Sequence, residues 1–339
     1  MRLTFILVTF LLLANSGYAQ WSHTNGPYGG EVYTFLANGG NIYAGTDSGM
    51  YVSANNGMNW TKRNNGISGR TVSLATNGTD IFAGTNSYGV FISSDSGVSW
   101  TAVNNGLGNL PISIMAITRM GNNTYVGTGT SGVFVSDNNG ASWMPSNNGI
   151  DSINIRCLAV IGANIFAGSY NRGAYMSTDS GSTWFPIDSG LTAQTLNALA
   201  VYDTNLYAAT VGQGIVKFSL ATNCWTGIND VHTTQQTITS LIATGTDLIA
   251  GGGYKGIYHS TNDGASWAIA DSGLITTSIS ALLMNGTTIY AGTVGWKAGV
   301  MVSTNNLVSW QPAITGLPYA VIWSLFLNGG DIIAGGLSH

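Results

Sequence analysis

Short runs of apolar and small residues recur along the chain in a fixed order. Unit two shows four of them: Thr71-Val72-Ser73-Leu74-Ala75, Ile81-Phe82-Ala83-Gly84, Gly89-Val90-Phe91-Ile92-Ser93 and Trp100-Thr101-Ala102-Val103. Each run has the length of a strand, and turn residues such as Asn77-Gly78-Thr79 separate them. The set repeats at a period near 42 residues, marked by Trp60, Trp100, Trp143, Trp184, Trp225, Trp267 and Trp310, with Trp21 one period upstream. Four short strands in a unit of that length predict an all-β propeller built from four-stranded antiparallel blades.

Aligned by unit, the first strand has three regular positions. One is small: Thr34, Ser73, Ala116, Cys157, Ala198, Ser240, Ala281 and Ser324. The next is large and apolar, from Phe35 and Leu74 to Leu282 and Leu325. Two before the small one stand Val32, Thr71, Ile114, Ile155, Leu196, Ile238, Ile279 and Ile322. Successive strand residues face opposite ways. Both faces are therefore mostly apolar, as expected of a strand sandwiched between neighbouring blades, and Cys157 falls in a core slot as an inert buried thiol.

Between the third and fourth strands lies the most specific pattern, Ser-x-Asp/Asn-x-Gly-x-x-Trp. It stands at Ser53-Asn55-Gly57-Trp60, Ser93-Asp95-Gly97-Trp100, Ser136-Asn138-Gly140-Trp143, Ser177-Asp179-Gly181-Trp184 and Ser260-Asn262-Gly264-Trp267. Ser303-Asn305-Leu307-Trp310 lacks the glycine, and the stretch from Ser219 to Trp225 is one residue short. The Asp or Asn side chain is suited to accept hydrogen bonds from its own turn. Glycine permits a positive φ, and the tryptophan pins the turn against the blade. These residues are structural rather than catalytic. The motif resembles the Asp-box, or BNR, repeat of sialidases, xyloglucanase-like glycosidases, sortilin-type receptors and a photosystem assembly factor. The resemblance implies a propeller fold and by itself no activity.

There are eight first strands but seven motif hairpins. The last unit ends after Asp331-Ile332-Ile333-Ala334-Gly335-Gly336, so seven full repeats and an incomplete eighth are expected. Seven closed blades with a surplus tail is the competing arrangement. Trp21-Ser22-His23 reads as a stray fourth strand that would close the ring against the last blade. Residues 1–19 read as a signal peptide: Arg2, an apolar run from Leu3 to Leu13, and Gly17-Tyr18-Ala19 before a cut that leaves Gln20 first. Residues 20–339 are then the propeller, with the abrupt end expected of a truncated product. The apolar run is shorter than the roughly 20 residues of a membrane span. A secreted or cell-surface protein, with the periplasm as a further location, is the expectation.

Composition narrows the chemistry. Only 7% of residues are charged and the net charge is −4, so a nucleic-acid partner has no electrostatic support. Cys157 and Cys224 make no disulfide framework, and His23, His232, His259 and His339 are too scattered for a metal site, so no metal or cofactor is expected.

In an up-and-down blade the motif hairpins and the turns after strand one share one face. The loops between strands two and three, and between blades, share the other. On that second face the sequence places Tyr88, Tyr170, Arg172, Tyr254, Lys255, Trp296 and Lys297. The position before the small residue, beside the channel mouth, varies: Tyr33, Val72, Met115, Arg156, Asn197, Thr239, Ser280 and Trp323. A glycan or protein ligand is the partner these suggest, with Tyr33, Arg156 and Trp323 joining the loop residues as candidate contacts. Glycoside hydrolysis is the alternative. It generally needs two facing carboxylates, but Glu31, Asp47, Asp151 and Asp230 read as belonging to separate units with no recognisable pair. Arg70, Arg156 and Arg172 are available for an acidic sugar, without the Arg-Ile-Pro signature of sialidases.

Overall fold

The structure is a computed structural model that describes residues 31–338, apart from 56–57, 153, 231, 245–246, 254–255, 286, 295–298, 313–319 and 329–330. The described residues form seven four-stranded antiparallel sheets and an eighth of two strands, with no helix. Strand order within each four-stranded sheet follows the chain. Blade one, for instance, runs Val32–Asn38, Asn41–Thr46, Gly49–Ser53 and Thr61–Lys62. Blade eight consists of Ala320–Asn328 paired with Asp331–Ser338.

The core is divided among the spaces between blades. Each of eight apolar clusters joins two neighbours. One links Phe166 and Ile187 of blade four to Leu196, Phe218 and Trp225 of blade five. Another links Tyr290 and Val300 of blade seven to Ile322 of blade eight. The cluster of Val32, Ala44, Tyr51 and Trp60 includes Ile333 of blade eight, and Ser324 Oγ donates to the Val32 carbonyl at 2.9 Å. Blade eight thus packs on blade one. The ring has eight radial positions rather than seven with a tail. Close approach between blades explains the second-strand glycines: a Cβ on Gly84 would lie 2.6 Å from Ile114 Cγ2 of the next blade.

The hairpins fold as the motif suggests. Ser93 Oγ donates to Asp95 Oδ1 at 2.8 Å, while the amides of Gly97 and Ser99 donate to Ser93 Oγ and Asp95 Oδ1. The Asn versions use the same bonds, at Ser53 and Asn55, Ser136 and Asn138, Ser260 and Asn262, and Ser303 and Asn305. Ser177 and Asp179 repeat the Asp form. Gly57 of the first copy lies outside the described residues. Leu307 adopts φ 67 where other copies have glycine, so the turn survives the substitution.

The tryptophans do more than pin their own turn, which corrects the expectation. They anchor it to the preceding blade. Trp100 Nε1 donates to the Arg63 carbonyl at 2.9 Å, Trp143 Nε1 to Val103 at 2.7 Å and Trp310 Nε1 to Ala270 at 2.6 Å. Trp184, Trp225 and Trp267 follow the pattern through Ser146, Ile187 and Ile228. Even the shortened fifth hairpin therefore keeps its anchor. Trp60 Nε1 is buried with no partner among the described residues, and Trp21-Ser22-His23 lies outside them.

Candidate functional site

The two faces are distinct in the way the strand order requires. On the hairpin face, Asn139 of one hairpin donates to Asp80 in the first turn of the preceding blade at 2.6 Å. On the other face, the loop after strand two bonds to the residue that precedes strand one. Asp47 N donates to the Glu31 carbonyl at 3.2 Å, Asn86 N to Arg70 at 3.0 Å, Tyr170 N to Asn154 at 3.0 Å and Val211 N to Thr195 at 3.1 Å. This repeated stitch fixes two ring positions at the mouth.

A third ring position is made by β-bulges. In all eight blades the pairing of strands one and two slips at the variable residue: between Val32 and Thr34, Thr71 and Ser73, Ile155 and Cys157, and so on to Ile322 and Ser324. A bulge re-aims the side chain it carries. The position that varies most in an otherwise regular repeat is thus the one the backbone turns out of register. Tyr33, Arg156 and Trp323 all occupy it.

These positions converge at blades one and two. The Tyr33 hydroxyl donates to Glu31 Oε2 and lies 3.2 Å from Asp47 Oδ1. Arg70 Nε lies 2.6 Å from Asp47 Oδ1, and the Arg70 guanidinium stacks 4.7 Å from the centroid of Tyr33. Tyr88 packs over Gly69, beside Arg70, where a Cβ would meet its ring at 2.5 Å, and remains 47% exposed. Burial, the bond to Glu31 and the charge of Asp47 push the Tyr33 phenol well above the ordinary range, so it stays protonated. Glu31 and Asp47 are therefore not isolated from each other as the sequence suggested. They meet on one tyrosine of one blade.

Blade four carries a second cluster. Arg156 stacks 4.5 Å from the centroid of Tyr170, and its Nη1 donates to Asn197 Oδ1 at 3.3 Å. Arg172 lies 3.9 Å from Asp151, to which the Tyr175 hydroxyl also donates. Asp230 is committed elsewhere: it accepts from the Trp267 amide at 2.8 Å and contacts His232 at 3.2 Å. Tyr254, Lys255, Trp296 and Lys297 lie outside the described residues, so the structure does not place them. Trp323 holds the bulge of blade eight. Sequence reasoning named Glu31, Asp47 and Arg70 singly and missed their assembly. Aligning the residue before strand one and the residue after strand two, as was done for the small position, would have placed them at one level.

Among the described residues no group of three His, Cys, Asp or Glu side chains is arranged to hold a metal ion. No helix there is long and apolar enough to cross a membrane.

No protein-family model matches the chain, and no curated protein matches it. Among solved structures it is similar to the computationally designed protein Ika8, with a TM-score of 0.70, 12% identity, and coverage of 94% of this chain and 96% of that one. It is also similar to the GH74 xyloglucanase from Xanthomonas campestris, with a TM-score of 0.64 and 17% identity over 91% of this chain and 59% of that one. The extracellular domain of BT4673 from B. thetaiotaomicron gives a TM-score of 0.63 and 18% identity over 84% of this chain and 40% of that one. This chain therefore spans well under two thirds of the xyloglucanase and BT4673 chains. At such identities the likeness shows the propeller fold alone.

Proposed function

We propose that this protein is an exported, non-catalytic propeller that binds a glycan at the channel mouth opposite its hairpins, centred on blades one and two. The observation that carries the reading is the convergence of Tyr33, Glu31, Asp47 and Arg70 beside the half-exposed ring of Tyr88. An exposed ring offers a platform for the C–H face of a sugar. A guanidinium and carboxylates, fixed by mutual bonds, read hydroxyl pairs with little ordering cost. Opposite the mouth, the Ser, Asp and Asn groups of the hairpins are occupied by their own turns.

The same geometry weighs against hydrolysis. A glycosidase places its substrate between two carboxyl groups. Here the Tyr33 hydroxyl lies against both, donating to Glu31 Oε2 with Asp47 Oδ1 3.2 Å away. Asp47 is further tied to Arg70. The raised Tyr33 phenol is also a poor candidate for a phenolate nucleophile. Export is supported by the leader pattern of residues 1–19, and intact-mass measurement of exported protein should find Gln20 at the N-terminus.

A glycan array followed by titration tests the reading. Arg70→Ala and Tyr88→Ala should each weaken the best hit about ten-fold or more, whereas Ser96→Ala, in a hairpin turn, should leave it unchanged. Sugar turnover lost in Glu31→Gln would replace binding by hydrolysis. A protein partner held by the same residues, with no glycan bound, would replace the ligand class.

A further inference from the structure

Arg156 is a cation held at the mouth without a counter-ion. All 14 Asp and Glu side chains lie among the described residues, and none is within ion-pair distance of Arg156. Its bulge aims it at the mouth, Tyr170 stacks on it, and neutral Asn197 accepts from its Nη1. Its Nε is buried and has no hydrogen-bond partner among the described residues. Arg63 and Arg119 also carry buried guanidinium nitrogens without a partner among the described residues, but neither stands at a bulge of the mouth, and Arg119 lies in the field of Asp80, whose carboxyl Ser94 chiefly, and Arg119 in part, hold below the usual range. With Nε buried and unpaired and no carboxylate in reach, this half-buried guanidinium of Arg156 gains from an anion that completes it.

The next three bulges have a complementary character. Asn197 Nδ2 donates to the Ile238 carbonyl at 2.9 Å, Thr239 Oγ1 to Ile279 at 2.6 Å, and Ser280 Oγ to Ile322. Each bond crosses to the following blade. A hydroxyl has one hydrogen and two lone pairs, so Thr239 and Ser280, both partly exposed, retain acceptor capacity only. Over blades six and seven these acceptors suit a ligand that supplies O–H donors. Over blade four it must supply negative charge.

We propose that the mouth over blades four to seven is a subsite for a uronic acid unit, with the carboxylate on Arg156 and ring hydroxyls donating to Thr239 and Ser280. Hydroxyls alone satisfy the acceptors but leave Arg156 uncompensated, and an acidic peptide segment supplies the charge but few donors. The proposal rests on the glycan reading above.

Titrating the purified protein with an oligogalacturonate, its fully methyl-esterified form and a neutral cello-oligosaccharide of equal length separates the two claims. The acid should bind about ten-fold tighter than its ester, and added salt should erode the difference. Arg156→Gln should abolish the difference, while Arg156→Lys keeps part of it because the charge remains but the planar fork is lost. Thr239→Val should weaken acid and ester alike. Unchanged melting of each variant confirms that the fold is intact. Equal binding of acid and ester by the parent protein, or an acid preference that survives in Arg156→Gln, would overturn the subsite while leaving the glycan reading in place. Binding of a poly-glutamate peptide through Arg156, with none of the three sugars bound, would overturn both.

Discussion

Asp95 accepts bonds from Ser93 Oγ at 2.8 Å, Ser99 N at 2.9 Å and Ser99 Oγ at 2.5 Å, all within its own turn. Those bonds, led by the Ser99 hydroxyl, hold its carboxyl at about 2, against an ordinary 3.8. The fold thus favours the charged form, so protonation destabilises the folded state. That contribution is complete above the ordinary value and is lost as pH falls toward 2. Other hairpins use asparagine in this slot, so Asp95→Asn should fold and show a smaller loss of stability between pH about 4 and about 2 in urea unfolding. An unchanged pH profile would mean that Asp95 is not held as described. Trp100, 4% exposed and bonded to Arg63 of the preceding blade, is a second residue-scale test. Trp100→Ala should destabilise by about 3–5 kcal/mol, measured by the same unfolding.

At the scale of strands, the repeat made the fold readable. A small residue and a large apolar one recur in every first strand, with a β-branched one in all but blade five, where Leu196 stands, because each is wedged between two blades. The second-strand glycine belongs to the same packing. Gly84→Val should destabilise by about 1–3 kcal/mol through overpacking, because its side chain would have to displace Ile114. Equal denaturation midpoints for Gly84→Val and the parent would show that the blades are not so close. The mouth was only partly legible. Variation at Tyr33 and Arg156 was visible, but the bulge that turns both residues outward lies in the pairing between strands and not in residue type. Glu31 and Asp47 are 16 positions apart and meet only because the loop after strand two folds back to the chain entering strand one. The tryptophan anchors were hidden for a similar reason: the acceptor of Trp100 is a backbone carbonyl 37 residues upstream, which carries no sequence signature.

Across the whole molecule, the ring divides its work between two faces. Hairpins hold neighbouring blades together, through bonds such as Asn139 to Asp80 in a first turn and Tyr207 on a second strand to Asp263. The opposite mouth gathers Glu31, Asp47 and Arg70 on one side and Arg156 on another, in a chain where charge is otherwise sparse. An exposed ring and fixed charges held together at one mouth are the arrangement of a recognition surface rather than of a scaffold alone. Hydrogen–deuterium exchange with and without the best-binding oligosaccharide tests this most directly. Protection is expected in residues 31–34, 69–72 and 86–88, at the mouth of blades one and two. Protection confined to the hairpins at 94–99, 137–142 and 178–183, with the mouth unchanged, would contradict it.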